Sequence, residues 1–331
     1  MEIGNSHEGS LGIAMSMVDM VENIGGRTVK FQMHLPEFES TRDEPFRKPF
    51  SSQDLSRFEY WERVNFSFDN WTTLINYVKT KNMEFLCTPF SIEAARWLFN
   101  NNAVRRWKVG SGDATNFPLI DFLIETQLPM IISTGLATAG EIRQLKERLL
   151  FRGAWDRVTL LHCISKYPVP AHETALHIIG ELKKLGCSVG YSDHSGEIYA
   201  PLLALSAGAE IVEVHMTPHK DFFGPDTQAS LVPEEILHLI RYCDLSDRTV
   251  SDVRSKDELF AEVRETAAIF RKGLYWSRDL NAGEIAQLED LCQLKPCLGV
   301  DSIHIDEVVG KVLDSNVRHL EPVSFSNLRD K

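Results

Sequence analysis

The chain has 331 residues, 43% of them hydrophobic and 25% charged, a globular composition with ample material for a large core. Its net charge of −12 excludes a general nucleic-acid or anionic-membrane binder, since both partners favour basic surfaces. A small anion is not excluded, because a few lysines and backbone N–H groups can converge on it whatever the global charge. In chain order, Glu2–Gly4 reads as the end of a first strand. Seven more follow at Thr28–Gln32, Glu84–Cys87, Arg106–Val109, Met130–Ser133, Val158–His162, Ser188–Tyr191 and Ile211–His215. Each is short, rich in β-branched or large apolar residues, and ends in a polar or glycine-containing segment. Between them Ile92–Asn100, Ala139–Leu149, His172–Lys184 and Pro201–Ala207 have helical spacing.

Near-continuous apolar strands alternating with helices predict a parallel α/β sheet, and eight strand positions predict a (β/α)8 TIM barrel over residues 1–250. An open doubly wound sheet is the alternative, but no GxGxxG follows an early strand. The polar, aromatic insertion from Leu35 to Phe68 is too long for a tight connection and falls where barrels carry substrate loops; a loop with no role is the other option. A charged linker at 251–270 then leads to a small β-rich domain at 271–331, with turns at Asn281–Gly283 and Cys297–Gly299. The opening MEIGNSHEGS has no apolar run behind basic residues, and stretches such as Val158–Ile164 are too short to span a membrane. Six scattered cysteines without a CxxC pair fit reduced, mostly buried thiols and a cytoplasmic location.

Polar residues gather at the carboxyl ends of the predicted strands: Glu2, Lys30, Gln32, Thr88, Lys108, Ser111, Ser133, Thr134, His162, Ser165, Ser192, Asp193, His194, Glu213 and His215. A barrel active site requires this one-ended clustering. Lys30 and Lys108 interrupt apolar strand ends, and a buried lysine is costly unless an anion neutralises it. Each therefore predicts either a phosphate or carboxylate ligand or an internal Asp/Glu partner. Gly110, Gly112 and Gly135 would let backbone N–H groups approach such a ligand. His194 and His215 end successive strands, which lie about 4.8 Å apart, so both rings could reach one divalent ion or could be hydrogen-bonding core histidines. An open site with two histidines and oxygen ligands suits Mn²⁺ or a similar catalytic ion better than structural zinc.

In order along the chain, EIGNSHEGS, TVKFQ, CTPFS, WKVGSGDATNFPLI, IISTGLAT, TLLHCISKYPVP, GYSDHS, EVHMT and GPDTQASL resemble the signature segments of the sialic acid synthase family. Its members include N-acetylneuraminate, legionaminate and pseudaminate synthases. RKGLYWSRDLNAGE and the later VVGK resemble the family's antifreeze-protein-like (SAF) domain.

The resemblance implies condensation of phosphoenolpyruvate with an N-acylated amino sugar by a domain-swapped homodimer, with Mn²⁺ ahead of Mg²⁺ or Co²⁺. It implies His194 and His215 as metal ligands and Glu2, Lys30, Glu213 and Asp226 as the catalytic set. Lys30, Thr88, Lys108, Ser111, Ser133 and Ser192 would hold phosphoenolpyruvate. Glu2, Gln32, Phe90, Tyr167, Glu213 and Asp226 would line the sugar and the reacting centre, and Ser165, Asp113 and Lys295 would also bind substrate. Asp113 stands where the family has glutamate, and Lys295-Pro296-Cys297 where it has Arg-Pro-Gly. The chain opens at the Glu2 motif, so a short first strand is expected. A divergent barrel aldolase or lyase, and a catalytically weakened relative that binds sugar or a protein, are the competing functions.

Overall fold

The computed structural model describes residues 1–46, 50–51, 53–250 and 253–331. They form two compact units, Met1–Arg248 and Thr249–Lys331. The first holds eight strands: β1 (Glu2–Gly4), β2 (Thr28–Met33), β3 (Glu84–Pro89), β4 (Trp107–Val109), β5 (Met130–Ser133), β6 (Val158–His162), β7 (Ser188–Asp193) and β8 (Val212–Val214). Ten helices accompany them: α1 (Leu11–Asn23), α2 (Pro36–Glu39), α3 (Arg57–Val64), α4 (Phe68–Thr80), α5 (Ile92–Asn100), α6 (Phe117–Glu125), α7 (Ala139–Phe151), α8 (His177–Lys183), α9 (Tyr199–Ser206) and α10 (Pro233–Val250).

All strand pairs in this unit are parallel. β1-β2-β3 form one sheet and β4-β5-β6-β7-β8 another, and a parallel bridge between Glu2 and His215 joins β1 to the end of β8. Met216 N donates to Glu2 O at 2.8 Å across that seam. β3 and β4 lie side by side, and Arg106 clamps Glu84 at 2.8 and 2.6 Å beside them. The result is a curled parallel sheet in an α/β fold, with one continuous core between strands and helices. Local chemistry sets the helix starts: Ser10, Ser56, Ser67, Ser91 and Asn116 each accept a first-turn N–H, and Thr138 with Glu141 closes a capping box.

The strand positions follow the sequence expectation closely, with informative differences. β7 runs two residues further than expected, to Asp193, which makes Ser192 a strand residue. The single helix expected over His172–Lys184 is a 3-10 turn at Ala171–Glu173 followed by α8. His162 Nε2 contacts the Thr174 carbonyl at 2.8 Å, and Ala175 has φ +50, so the backbone there is turned out of helical register. The Leu35–Phe68 insertion is not a bare loop, because it carries α2 and α3, whose Tyr60, Trp61 and Val64 form a small core with Phe46 and Phe50.

Gly190 in β7 is required by close approach rather than by a turn. A Cβ there would meet Ile211 O at 2.4 Å and Leu161 Cδ2 at 2.6 Å, backbone on one side and packed core on the other. Gly190→Ala is expected to destabilise the protein by about 1–3 kcal/mol, the range for overpacking. A chemical-denaturation midpoint equal to wild type would contradict this.

The second unit is built from short antiparallel ladders. β9 (Gly273–Trp276) pairs with β10 (Leu291–Leu294), and β11 (Val312–Leu313) with β12 (Leu328–Arg329). Leu274, Trp276, Leu280, Val300, Leu313 and Val323 supply its core. The stretch expected as a linker contains α11 (Lys256–Glu262) and α12 (Arg264–Phe270), and Cys297 N donates to Ala268 O at 2.9 Å. Residues 251 and 252 lie outside the described part. All six cysteines are free; Cys87 and Cys163 are buried and the other four half-buried.

Candidate active site

The lysines that break the apolar pattern meet at the carboxyl ends of the strands. Lys30 is 5% exposed and Lys108 2%. The Lys30 ammonium pairs with Glu2, lies 3.6 Å from Glu213 Oε2 and donates to Thr88 Oγ1 at 3.3 Å. That of Lys108 donates to Ser133 Oγ at 2.7 Å and to Val109 O at 3.0 Å, and stands 3.8 Å from Glu213 Oε1. Ser192 Oγ donates to the same Glu213 oxygen at 2.8 Å. Internal ion pairing, the alternative to an anion pocket, is therefore present, tight for Lys30 and loose for Lys108.

The electrostatics differ accordingly. Burial disfavours the Lys30 ammonium, but Glu2 and Glu213 outweigh it and hold its pKa above the ordinary lysine value. For Lys108, burial dominates and Lys30 adds repulsion, so its pKa falls below ordinary despite Glu213. Burial alone would raise Glu213; Lys108 and Lys30 outweigh that and hold it well below the usual carboxylate range.

A cavity of about 630 Å³ opens at these strand ends. Of the expected site residues, Lys30, Gln32, Thr88, Phe90, Lys108, Ser111, Ser133, Ser165, Tyr167, Ser192, His194, Glu213, His215 and Asp226 line it. Thr134, His162 and Asp193 lie outside that lining, engaged with Leu161 O, Thr174 O and Ser195 Oγ, and three further residues do not belong to it. Glu2 is fully buried beside it, accepting from Gln32 Nε2 at 2.7 Å and pairing with Lys30. Asp113 is absent from the lining, its carboxylate accepting from Asn116 Nδ2 at 2.9 Å. Lys295 belongs to the second unit, exposed, with its ammonium 5.4 Å from the Phe270 ring centroid.

The two histidines expected to share an ion are neighbours, with ring centroids 5.3 Å apart. His194 Nδ1 lies 3.1 Å from Ile164 O, which fixes that nitrogen as the donor and leaves Nε2 with its lone pair. His215 Nδ1 is 3.9 Å from Asp226 Oδ2, and the Tyr167 ring packs against both imidazoles. No group of three or more His, Cys, Asp or Glu side chains is close enough to ligate a metal among the described residues. Two imidazoles with a free Nε2 lone pair on His194 could hold an ion only if water or substrate oxygens supplied its other positions.

The sequence pattern singles out no residue inside the insertion. Asn5, Arg57, Tyr60 and Trp61 nevertheless line the cavity. Arg63 anchors the insertion, gripping Asp54 with two hydrogen bonds of 2.9 Å and Glu8 with a third of 2.9 Å, while Tyr60 donates to Glu8 at 3.0 Å. The available signal was the aromatic density of the insertion, which exceeds what a solvated loop needs.

His7 is buried against Phe66 at 4.4 Å and accepts from Gly9 N at 3.1 Å through Nδ1. Burial, helped by His34, drops its pKa from 6.5 to about 3. A depressed histidine stabilises the fold above its unfolded pKa and loses that contribution as pH falls toward the folded value. The wild-type melting temperature should therefore drop more between pH 7 and pH 5 than that of His7→Phe. Equal drops would remove His7 from the acid limb.

This architecture, a curled parallel α/β sheet with buried cations and a histidine pair around a cavity at its strand ends, is that of an enzyme acting on small polar molecules. The chain belongs to the NeuB family, whose model matches residues 17–254, and hence to the sialic acid synthase type of enzyme. It is 30% identical over 328 residues to the N,N'-diacetyllegionaminic acid synthase of Campylobacter jejuni, covering 97% of this chain and 96% of that one. It is 31% identical over 254 residues to human N-acetylneuraminate-9-phosphate synthase, covering 75% and 70%. Among solved structures, the N-acetylneuraminic acid synthetase of Leptospira borgpetersenii superposes with a TM-score of 0.69 at 27% identity, over 80% of this chain and 89% of that one. No described helix is long and apolar enough to cross a membrane.

Proposed function

We propose that this protein condenses phosphoenolpyruvate with an N-acylated amino sugar, giving a nine-carbon sialic-acid-type keto acid and phosphate. The observation that carries this is the pair of buried lysines, Lys30 and Lys108, converging with Thr88, Ser133 and Ser192 on one end of the cavity. Two cations ringed by hydroxyl donors suit a ligand with both phosphate and carboxylate groups. Lys108 is the cation whose carboxylate partner is loosest, so a ligand oxygen can replace Glu213 there at little loss.

The methylene carbon of phosphoenolpyruvate forms a bond to the sugar's aldehyde carbon, and the aldehyde oxygen takes up a proton. The cationic carbon left beside the phosphate accepts a water oxygen. Glu213, the glutamate that lines the cavity, is placed to take that water's proton, whereas Glu2 holds Lys30 and Gln32 in position. The new hydroxyl gives its proton to the phosphate as the C–O bond breaks, and the phosphate leaves with the bridging oxygen. The proton taken by Glu213 makes good the one delivered to the aldehyde oxygen, so the keto acid is released with the protons balanced. A divalent ion, Mn²⁺ first, held by His194 and His215 would polarise the aldehyde oxygen. Tyr167, Phe90 and Asp226 would line the sugar.

In this proposal the eight strands close as a (β/α)8 barrel and the small unit is an SAF cap. The assembly is a domain-swapped homodimer, and Lys295 serves the site of the other copy. The Glu2–His215 bridge supports the closure, and the resemblance of RKGLYWSRDLNAGE supports the cap.

The test is an incubation with Mn²⁺, phosphoenolpyruvate labelled with ¹⁸O at the bridging position, and N-acetylmannosamine or a diacetamido-dideoxy hexose. Sugar-dependent release of labelled phosphate with a nine-carbon keto acid is expected. Folded protein releasing no phosphate with any of these sugars would overturn the proposal in favour of a binding role, and pyruvate formation would favour the lyase.

A further inference from the structure

Behind the cavity-lining rings of Trp61 and Phe90 lies a buried imidazole to which the reaction above assigns nothing. His34, just beyond β2, is 4% exposed. Its ring lies between Trp61, at 3.8 Å and 7°, and Phe90, at 4.3 Å and 11°, so three rings stack nearly parallel. The Arg57 guanidinium covers the outer face of Trp61 at 5.0 Å. Stacking fixes the plane of the imidazole, and hydrogen bonds fix its rotation within that plane. Nδ1 lies 2.6 Å from Glu39 Oε1, and the other oxygen of that carboxylate accepts from Leu35 N at 3.1 Å. Nε2 lies 3.2 Å from Gln32 Oε1 and 3.3 Å from Asn5 Nδ2.

Those contacts lead to the reacting end of the cavity. Asn5 Nδ2 also donates to Gln32 Oε1 at 3.3 Å, while Gln32 Nε2 donates to Glu2 Oε1 at 2.7 Å, and Glu2 pairs with Lys30. The Gln32 amide is thus held at both ends: its nitrogen by Glu2, and its oxygen by Asn5, whose amide also reaches His34 Nε2. His34 itself donates to that oxygen when the ring carries a proton on Nε2 as well as on the Nδ1 that faces Glu39. An amide lining a cavity offers a substrate hydroxyl or acyl group useful hydrogen bonds only when its orientation is fixed, because a freely rotating amide loses entropy on binding.

We infer that His34, clamped between Trp61 and Phe90 and braced by Glu39, is a positioning residue that sets the orientation of Gln32 toward the sugar. The ring touches no reacting atom; it acts through Gln32. A ring at this position that stacks but cannot hydrogen bond would leave the wall intact and release the amide.

His34→Phe separates the two roles, and the kinetic part of its test rests on the synthase reading while the structural part does not. In crystals of His34→Phe, the rings of Trp61 and Phe90 should keep their places while the Gln32 side chain leaves its position between Asn5 and Glu2. Gln32 unmoved in that variant would overturn the inference whether or not the protein turns over. In the sugar-dependent assay, His34→Phe should lower kcat about 10-fold, the scale of a small misplacement, and leave the KM for phosphoenolpyruvate within about 2-fold. In a Gln32→Leu background the same substitution should cost nothing further; additive losses would mean that His34 acts independently of Gln32 and would overturn the positioning role. Glu39→Gln keeps the wall's volume and should give a smaller kcat loss in the same direction, which keeps the question answerable if His34→Phe folds poorly. A wild-type enzyme that releases no phosphate overturns the synthase reading, and the crystal structure of the variant still decides the inference.

Discussion

Lys108→Met is expected to lose about 10²–10³-fold in kcat/KM for phosphoenolpyruvate, the scale seen when one preorganised donor to a reacting anion is removed. Its melting temperature should stay close to wild type. Lys108 is 2% exposed, and burial pulls its pKa down with Glu213 at 3.8 Å as the chief opposing charge, so an apolar side chain of similar length replaces a poorly compensated charge. Lys30→Met should behave differently. It removes the partner of Glu2, a carboxylate with no exposure, and breaking a buried pair costs about 3–5 kcal/mol. Activity assays and denaturation curves on the two variants separate a lysine kept for the ligand from one that also holds the fold together. Equal destabilisation in both would contradict the asymmetry of their pairing.

The second large effect concerns the histidine pair. His215→Ala should bind Mn²⁺ much more weakly by electron paramagnetic resonance titration and lose at least about 10²-fold in metal-dependent turnover. A Lewis-acid ion supplies several kcal/mol to such reactions. His194→Ala should do the same, because its Nε2 lone pair is the one left available once Nδ1 donates to Ile164 O. Circular dichroism should remain that of a folded α/β protein. Unchanged Mn²⁺ affinity together with full activity in either variant would remove that histidine from the ligand set.

Much of the first unit was legible because its strands are buried along their length and their apolar runs end abruptly. Met130–Ser133 and Val158–His162 are found where expected, since hydrophobicity and turn chemistry agree there. Lys30, Lys108, Ser192 and His215 stood out as polar exceptions at strand ends. Their partners were not legible. That Glu2 lies beside Lys30 depends on the parallel register of β1 and β2, which no local pattern encodes. The helix expected over His172–Lys184 is broken by a contact from His162 on another element, a tertiary effect that overrides periodicity. Asp113 fell at a position the family fills with glutamate, but the side chain here is spent on Asn116. The insertion was read by composition alone, and so His34 could not be seen to matter until Trp61 and Phe90 came to either side of it.

The grip of Arg63 on Glu8 and Asp54 has a consequence for how these enzymes diverge and can be recombined. Glu8 lies in the turn after β1 with φ +48, and a Cβ on the neighbouring Gly9 would meet Arg63 O at 2.6 Å. The turn and α3 are therefore shaped to one another, although Glu8 and Arg63 stand 55 positions apart. A chimera that imports the insertion of a relative without its turn would leave the half-buried Glu8 carboxylate without its guanidinium and hydroxyl partners. The two segments pack as a single cassette, and a loop exchange has to carry both.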